Sequence, residues 1–314
     1  MRAHCSAESW PLRTAFVISR GARTEAQVVV VELQGRGVTA VGECTPYARY
    51  GETPDSVLAQ LQPLLAVPDS LSREALQAQL PAGAARNALD CALWDWERQC
   101  RNTPFAGPDS LPTVQTLVID TPAAMAEAAR VTVAQGVECL KLKLDDYQVA
   151  ERVAAVRAAA PGAQLVIDAN EAWPAATLVE RCQQLRDAGV AMLEQPLPAD
   201  DDEFLETFAH PLPICADESC HTRADLPRLQ GRYEMLNIKL DKTGGLTEAL
   251  ALAEAAEACG FALMLGCMLC TSRAVRAAWP LGERARFIDL DGPTWLARDA
   301  EPPLRFDAGR VYWT

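Results

Sequence analysis

The chain has 314 residues, 49% of them hydrophobic and 23% charged, enough for two domains or one large α/β domain with additions. A formal net charge of −13 excludes nucleic acid as the main partner, because phosphate binding needs a basic footprint. No apolar run is long enough to cross a membrane, MRAHCSAESW has no apolar signal core, and eleven cysteines lie scattered in apolar segments, so a reduced, cytoplasmic protein is expected.

In chain order, QVVVVEL (27–33) and GVTAVGEC (37–44) predict two strands joined by a short turn at Gly35 and Gly37. Helical spacing follows at 55–66, 72–80 and 84–99, the last carrying Ala88, Leu89, Ala92, Leu93 and Trp96. Strands followed by helices indicate an α+β unit, and RNTPFAGPDSLP (101–112) punctuates its end. Short apolar runs then alternate with helical stretches. The runs are VQTLVI (114–119), CLKLKL (139–144), QLVIDA (164–169), VAMLEQ (190–195), PICADE (213–218), MLNIKL (235–240), FALMLG (261–266) and FIDL (287–290). The first seven begin 22 to 26 residues apart, the repeat that a (β/α)₈ barrel or close variant needs. An open doubly wound sheet is the alternative, but TPAAM stands where its Gly-rich phosphate loop would follow strand one. The expected division is a capping domain over 1–110, a barrel over 111–291, and a tail, 292–314, returning to the cap.

Chemistry in a barrel gathers at the C-terminal strand ends. Lys141 and Lys143 stand there on strand two, Asp168 and Asn170 on three, Glu194 on four, and Asp217 and Glu218 on five. Lys239, Asp241 and Lys242 follow on six, and Asp289 and Asp291 on eight. Asp168, Glu194 and Asp217 come from successive strands; converging carboxylates repel without a cation and make a hard-oxygen site for a divalent one, most simply Mg²⁺. The competing reading is that they cap helices in the βα loops. Lys143 and Lys239, from opposite sides of an eight-strand ring, could each reach one face of a single carbon. Lys141 beside Lys143, with a cation near both, is expected to lower their pKa values toward use as bases; the competing reading is a solvated edge with snorkelling lysines. With three histidines in all, His chemistry has little to draw on. Cys267 and Cys270 form a C-x-x-C without a second pair at zinc spacing, and no thiol chemistry is expected.

Taken in order, K-x-K, D-x-N, E-Q-P, D-E-S and K-x-x-K-x-G-G resemble the enolase superfamily, in its muconate lactonizing enzyme subgroup, over nearly the whole chain. The resemblance implies a (β/α)₇β TIM-like barrel under an N-terminal α+β capping domain, and removal of a proton α to a carboxylate held by one Mg²⁺ per subunit. Within that subgroup, DLDGP resembles the strand-eight D-x-D of the dipeptide epimerases, where two aspartates hold the α-ammonium of a dipeptide. The implied substrate pair is L-Ala-D-Glu and L-Ala-L-Glu, in recycling or degradation of murein peptides. The resemblance assigns Asp168, Glu194 and Asp217 to the metal and Lys143 and Lys239 to acid–base catalysis. It places Lys141, Asp289, Asp291, Thr116 and the Cys267 backbone at the substrate. Asn170, Gln195 and Glu218 orient ligands, and Lys242 is not the base. A cation on the N-terminal loop ISRGART, Arg20 or Arg23, would meet the glutamate side chain, with Gly21 giving a flexible lid. An o-succinylbenzoate synthase or N-acylamino acid racemase is the sister reading, and a non-catalytic anion-binding barrel the reading from another class. Homo-oligomers are common in the superfamily.

Overall fold

The computed structural model describes residues 1–103 and 107–313; part of the expected linker, 104–106, and the last residue of the tail lie outside them. The chain opens with β1 (Arg2–Ile18), β2 (Gly21–Gly35) and β3 (Val38–Cys44), an antiparallel sheet in that order. The β2–β3 turn at Gly35 and Gly37 is as expected. The sequence reading did not anticipate β1, because its alternation is broken at Pro11 and its residues are mostly exposed or half-buried. It is an edge strand, where proline is tolerated, and its register with β2 shifts between Pro11 and Phe16.

Helices α1 (Pro54–Leu65), α2 (Arg73–Gln79) and α3 (Ala84–Cys100) pack on this sheet. Val29, Val31 and Leu33 meet Leu61, Ala88, Leu89 and Ala92 in one apolar cluster. The approach is close enough that a β-carbon at Gly42 would lie 2.0 Å from the Ala88 carbonyl oxygen, so β3 needs glycine there.

After β4 (Ser110–Pro112) the barrel strands follow: β5 (Gln115–Leu117), β6 (Cys139–Lys143), β7 (Gln164–Asp168), β8 (Val190–Glu194), β9 (Ile214–Ala216), β10 (Met235–Ile238), β11 (Ala262–Gly266) and β12 (Phe287–Asp289). They pair in sequence order, all parallel, and a hydrogen bond from Val114 N to Ile288 O links the last strand to the segment entering the first. Helices α4 (Pro122–Ala134), α5 (Val149–Ala159), α6 (Ala175–Asp187), α7 (Leu226–Leu229), α8 (Leu240–Thr243), α9 (Leu246–Ala258) and α10 (Ser272–Ala278) fill the connections. Between β8 and β9 only a 3₁₀ turn, Glu203–Thr207, forms. Pro196, Pro198, Pro211 and Pro213 crowd that segment, and proline removes the donors a helix needs.

Alternation along each strand sorts the side chains. Leu140, Leu142, Leu165, Ile167 and Leu193 join the cluster shared with the helices. Val114, Val166, Met192, Cys215, Met235, Met264 and Phe287, from seven of the strands or the residues entering them, form a separate apolar layer inside the ring. Two residues further along, the inward positions become polar: Thr116, Asp168, Glu194, Asp217, Asn237 and Asp289.

The tail divides its contacts. Leu296 bridges to Leu12, and Leu296 and Ala300 pack with Trp10, Ala26 and Val28 of the cap. β13 (Arg305–Asp307) and β14 (Arg310–Tyr312) instead form a small sheet with β4, and Val311 joins the barrel's outer cluster. The cap is fastened over the C-terminal end of the barrel. Arg86 donates to the Thr243 and Gly244 carbonyls, Thr45 N donates to Asp241, and Thr271 donates twice to Glu43. Among the described residues no helix is long and apolar enough to cross a membrane.

Candidate active site

Lys141 lies at the centre of the polar layer with no exposed surface. Its Nζ is 2.7 Å from Asp289 Oδ2, 2.7 Å from Glu194 Oε2 and 3.0 Å from Asp168 Oδ2. Burial opposes the charge, but three carboxylates outweigh burial and raise its pKa well above the usual value. The expectation of lowered pKa values counted Lys143 and a cation as neighbours of Lys141; the protein's own groups nearest to it are three anions, which act in the opposite direction. Glu194 shows the opposite balance: burial and Asp168 push its carboxyl up to about 7. Asp168 is held below its ordinary value by Lys141 and Lys143 despite burial.

Lys143 and Lys239 both line one cavity at the barrel mouth, with Asp217, Glu218, Asn170, Thr116, Asp289 and Asp291. β6 and β10 stand four places apart in the eight-strand ring, so the two ammonium groups enter from opposite walls. Lys143 pairs with Asp168, and Lys239 Nζ is 2.6 Å from Asp217 Oδ2. Burial opposes the Lys239 charge, but Asp217 and Glu194 prevail and raise its pKa. Asp291 Oδ2 accepts from Thr116 N at 2.7 Å, and burial together with Asp289 pushes the Asp291 carboxyl up to about 7. Cys267 lines the cavity beside Met268 and Gly292.

The β1–β2 turn hangs over this mouth and separates the two arginines. Arg20 is heavily engaged: it donates to Glu218 Oε1 at 2.7 Å, Tyr47 Oη at 2.9 Å, the Asn170 carbonyl at 3.0 Å and Glu171 Oε2 at 3.1 Å. Arg49 adds two more bonds to Glu171. Arg23 instead stacks on Tyr47, 4.8 Å from the ring centroid, lines the cavity, and has no ion pair among the described residues. Asn170 sits at φ 44° with its backbone N–H on Asp168 Oδ1 and its own Oδ1 buried without a hydrogen bond among the described residues.

Among the supporting groups, Gln195 and Lys242 were expected near the site, whereas Asn237 and Gly266 escaped the sequence reading. Gln195 Oε1 accepts from the Asp217 and Ser219 backbone N–H groups, joining strands four and five. Lys242, expected not to be the base, is buried with Nζ 2.6 Å from Asp217 Oδ1 and bonds to the Asn237 carbonyl. Asn237 donates to Glu194 Oε1 at 2.7 Å. A β-carbon at Gly266 would fall 2.6 Å from Asn237 Oδ1 and 2.9 Å from Lys239 Cε, so glycine makes room for both. Asn237 was legible as the inward position two residues before Lys239. The Gly266 requirement depends on a neighbouring strand and left no local signal.

Among the described residues no three His, Cys, Asp or Glu side chains close into a finished metal cage; lysine ammonium groups stand between the carboxylates. The donor set nevertheless suits a hard divalent cation, being three buried carboxylates from adjacent strands. Glu194 Oε2 and Asp217 Oδ1 are buried and near lysines, yet among the described residues neither receives a properly directed hydrogen bond. Such orphaned anionic oxygens are what a cation would satisfy.

Residues 1–107 match the mandelate racemase/muconate lactonizing enzyme N-terminal domain, and residues 123–313 match the enolase C-terminal domain-like family. The chain is 59% identical over 312 residues to an L-Ala-D/L-Glu epimerase from Escherichia coli (strain K12), covering 97% of each. Its fold is similar, with TM-score 0.95 and 40% identity over 99% of this chain and 97% of the other, to an enolase family member from Agrobacterium tumefaciens with homology to dipeptide epimerases, containing bound sodium and L-Ala-L-Glu. It is also similar, with TM-score 0.92 and 28% identity over 100% and 96% of the two chains, to a dipeptide epimerase from Enterococcus faecalis V583 complexed with Mg and L-Leu-L-Tyr.

Proposed function

The chain belongs to the mandelate racemase/muconate lactonizing enzyme family of the enolase superfamily, and from that premise we propose that it is an isomerase interconverting L-Ala-D-Glu and L-Ala-L-Glu by proton transfer at the glutamate α-carbon. The observation that carries this reading is the entry of Lys143 and Lys239 into one cavity from opposite walls. One neutral lysine removes the α-proton and the other, as ammonium, delivers a proton to the opposite face, which inverts the centre. Asp168, Glu194 and Asp217 would hold Mg²⁺. Bound there, Mg²⁺ supplies a Lewis acid beside the substrate α-carboxylate and draws carboxylate charge away from the lysines.

Asp289 and Asp291 take the dipeptide ammonium, a cation that the sister substrates lack. Support comes from both carboxylates lining the cavity. Arg23, with no carboxylate partner among the described residues, meets the glutamate side chain, whereas Arg20 fastens the turn. Free cysteines throughout the described residues suit a reducing cytoplasm, and the substrate pair suits murein peptide recycling.

The test is proton NMR of L-Ala-D-Glu in D₂O with enzyme and Mg²⁺. Loss of the Glu α-proton signal with growth of L-Ala-L-Glu is expected. No exchange and no second diastereomer would sink the assignment. Dipeptide turnover that survives Asp289→Ala with Asp291→Ala would remove the ammonium-binding role.

A further inference from the structure

Asp202 lies beyond the cavity with no exposed surface, in the segment between β8 and β9. Ser219 Oγ donates to its Oδ2 at 2.6 Å, Tyr233 Oη donates to the same oxygen at 2.7 Å, and Arg232 donates to Oδ1 at 2.6 Å. A carboxylate only accepts, so the hydroxyl protons point to Asp202, or one of them to the other hydroxyl 3.1 Å away, and neither is left for Gln195. Toward Gln195 those hydroxyls can then only accept. Gln195 Nε2 lies 2.9 Å from Ser219 Oγ, 3.0 Å from Tyr233 Oη and 2.9 Å from the Leu197 carbonyl, all acceptors. The amide is thereby oriented, and Oε1 faces the Asp217 and Ser219 N–H groups at 2.9 and 3.1 Å. Turned over, it would set donor against donor at both backbone positions.

We propose that Asp202 is a positioning residue: through Ser219 and Tyr233 it sets the direction of the Gln195 amide, and through that amide the backbone that places Asp217. The inference rests on the reading of Asp217 as a metal ligand. Asp202→Asn replaces an acceptor-only group with one that also donates, freeing the hydroxyl protons to turn toward Gln195. Arg232→Gln is the control, because it removes the nearer of the two arginine partners of Asp202, leaving Arg228 at 3.4 Å, without touching either hydroxyl.

Two readouts avoid turnover of substrate: amide hydrogen exchange at Asp217 and Ser219 in the metal-free protein, and calorimetric titration with Mg²⁺. Asp202→Asn is expected to speed exchange at both amides and to weaken Mg²⁺ binding about 10-fold or more, while Arg232→Gln changes either by no more than about twofold. Unchanged exchange in Asp202→Asn, or an equal effect from Arg232→Gln, overturns the proposal. Faster exchange in Asp202→Asn with a parent protein that binds no Mg²⁺ keeps the orienting role and removes the metal reading. Should Asp202→Asn not fold, Tyr233→Phe must still speed exchange at Asp217; if it does not, the relay is absent.

Discussion

Charges placed a few ångströms apart in this site answer to different neighbours. Asp291 has its carboxyl pushed up to about 7 by burial and Asp289, so in the free protein it gains charge only as the pH rises through that value. If the ionised form holds the dipeptide ammonium, kcat/KM should fall as pH drops below about 7, and Asp291→Asn should lose that acidic limb. A pH–rate series on both proteins checks it. Arg20 and Arg23 differ by three positions and diverge in circumstance: one is tied to Glu218, Glu171 and Tyr47, the other only stacks on Tyr47. A charge-assisted hydrogen bond contributes about 1.5–3 kcal/mol, so Arg23→Ala should raise KM for the glutamyl dipeptide roughly 10- to 100-fold with kcat little changed. Arg20→Ala should instead loosen the turn, seen as faster proteolysis near Gly21. Equal kinetic effects from the two variants would contradict the division of roles.

Strand ends and the loops beyond them hold these residues in place. β10 and β11 approach so closely that Gly266 has no room for a methyl group beside Asn237 and Lys239. Gly266→Ala should displace Lys239, and a shift of about 1 Å at a reacting group costs on the order of 10²-fold in rate. Steady-state kinetics alongside an unchanged far-UV spectrum would establish a local effect. At the cap–barrel joint, the end of β3 inserts Glu43 beneath Thr271, and burial pushes its carboxyl up to about 7. The folded protein therefore binds the Glu43 proton more tightly than the unfolded chain. Its contribution to stability is fully present below the unfolded value near 4.5 and is lost as pH rises toward about 7, amounting to about 3 kcal/mol. Urea midpoints at pH 5 and pH 7.5 should show that fall, and Glu43→Gln should make it smaller, leaving the share of Glu194 and Asp291.

For the molecule as a whole, the cap and the barrel meet over one polar layer in which Asp168, Glu194, Asp217 and Asp289 pair with Lys141, Lys143, Lys239 and Lys242. Mg²⁺ that binds only the folded protein should stabilise it by mass action, about 2.7 kcal/mol at 100 times Kd, so the thermal midpoint should climb with Mg²⁺ concentration. Chelation should abolish α-proton exchange, and added Mg²⁺ should restore it. Periodicity and spacing by themselves determined the barrel, because alternation sends Leu140 and Leu142 outward and leaves Lys141 and Lys143 inside, and strand order brings Asp168, Glu194 and Asp217 together. They missed β1, whose pattern is diluted by exposure and Pro11, and for the pKa of Lys141 they counted Lys143 and a cation but not the three carboxylates around it. Only the tertiary structure decided that Lys141 sits among three carboxylates, that Arg20 is committed while Arg23 has no ion pair among the described residues, and that Gly266 must lack a side chain. The physical reason is one of range. A strand's faces follow from neighbours along the chain, whereas the charge state, partners and free space of a buried group are set by residues that only folding brings within a few ångströms.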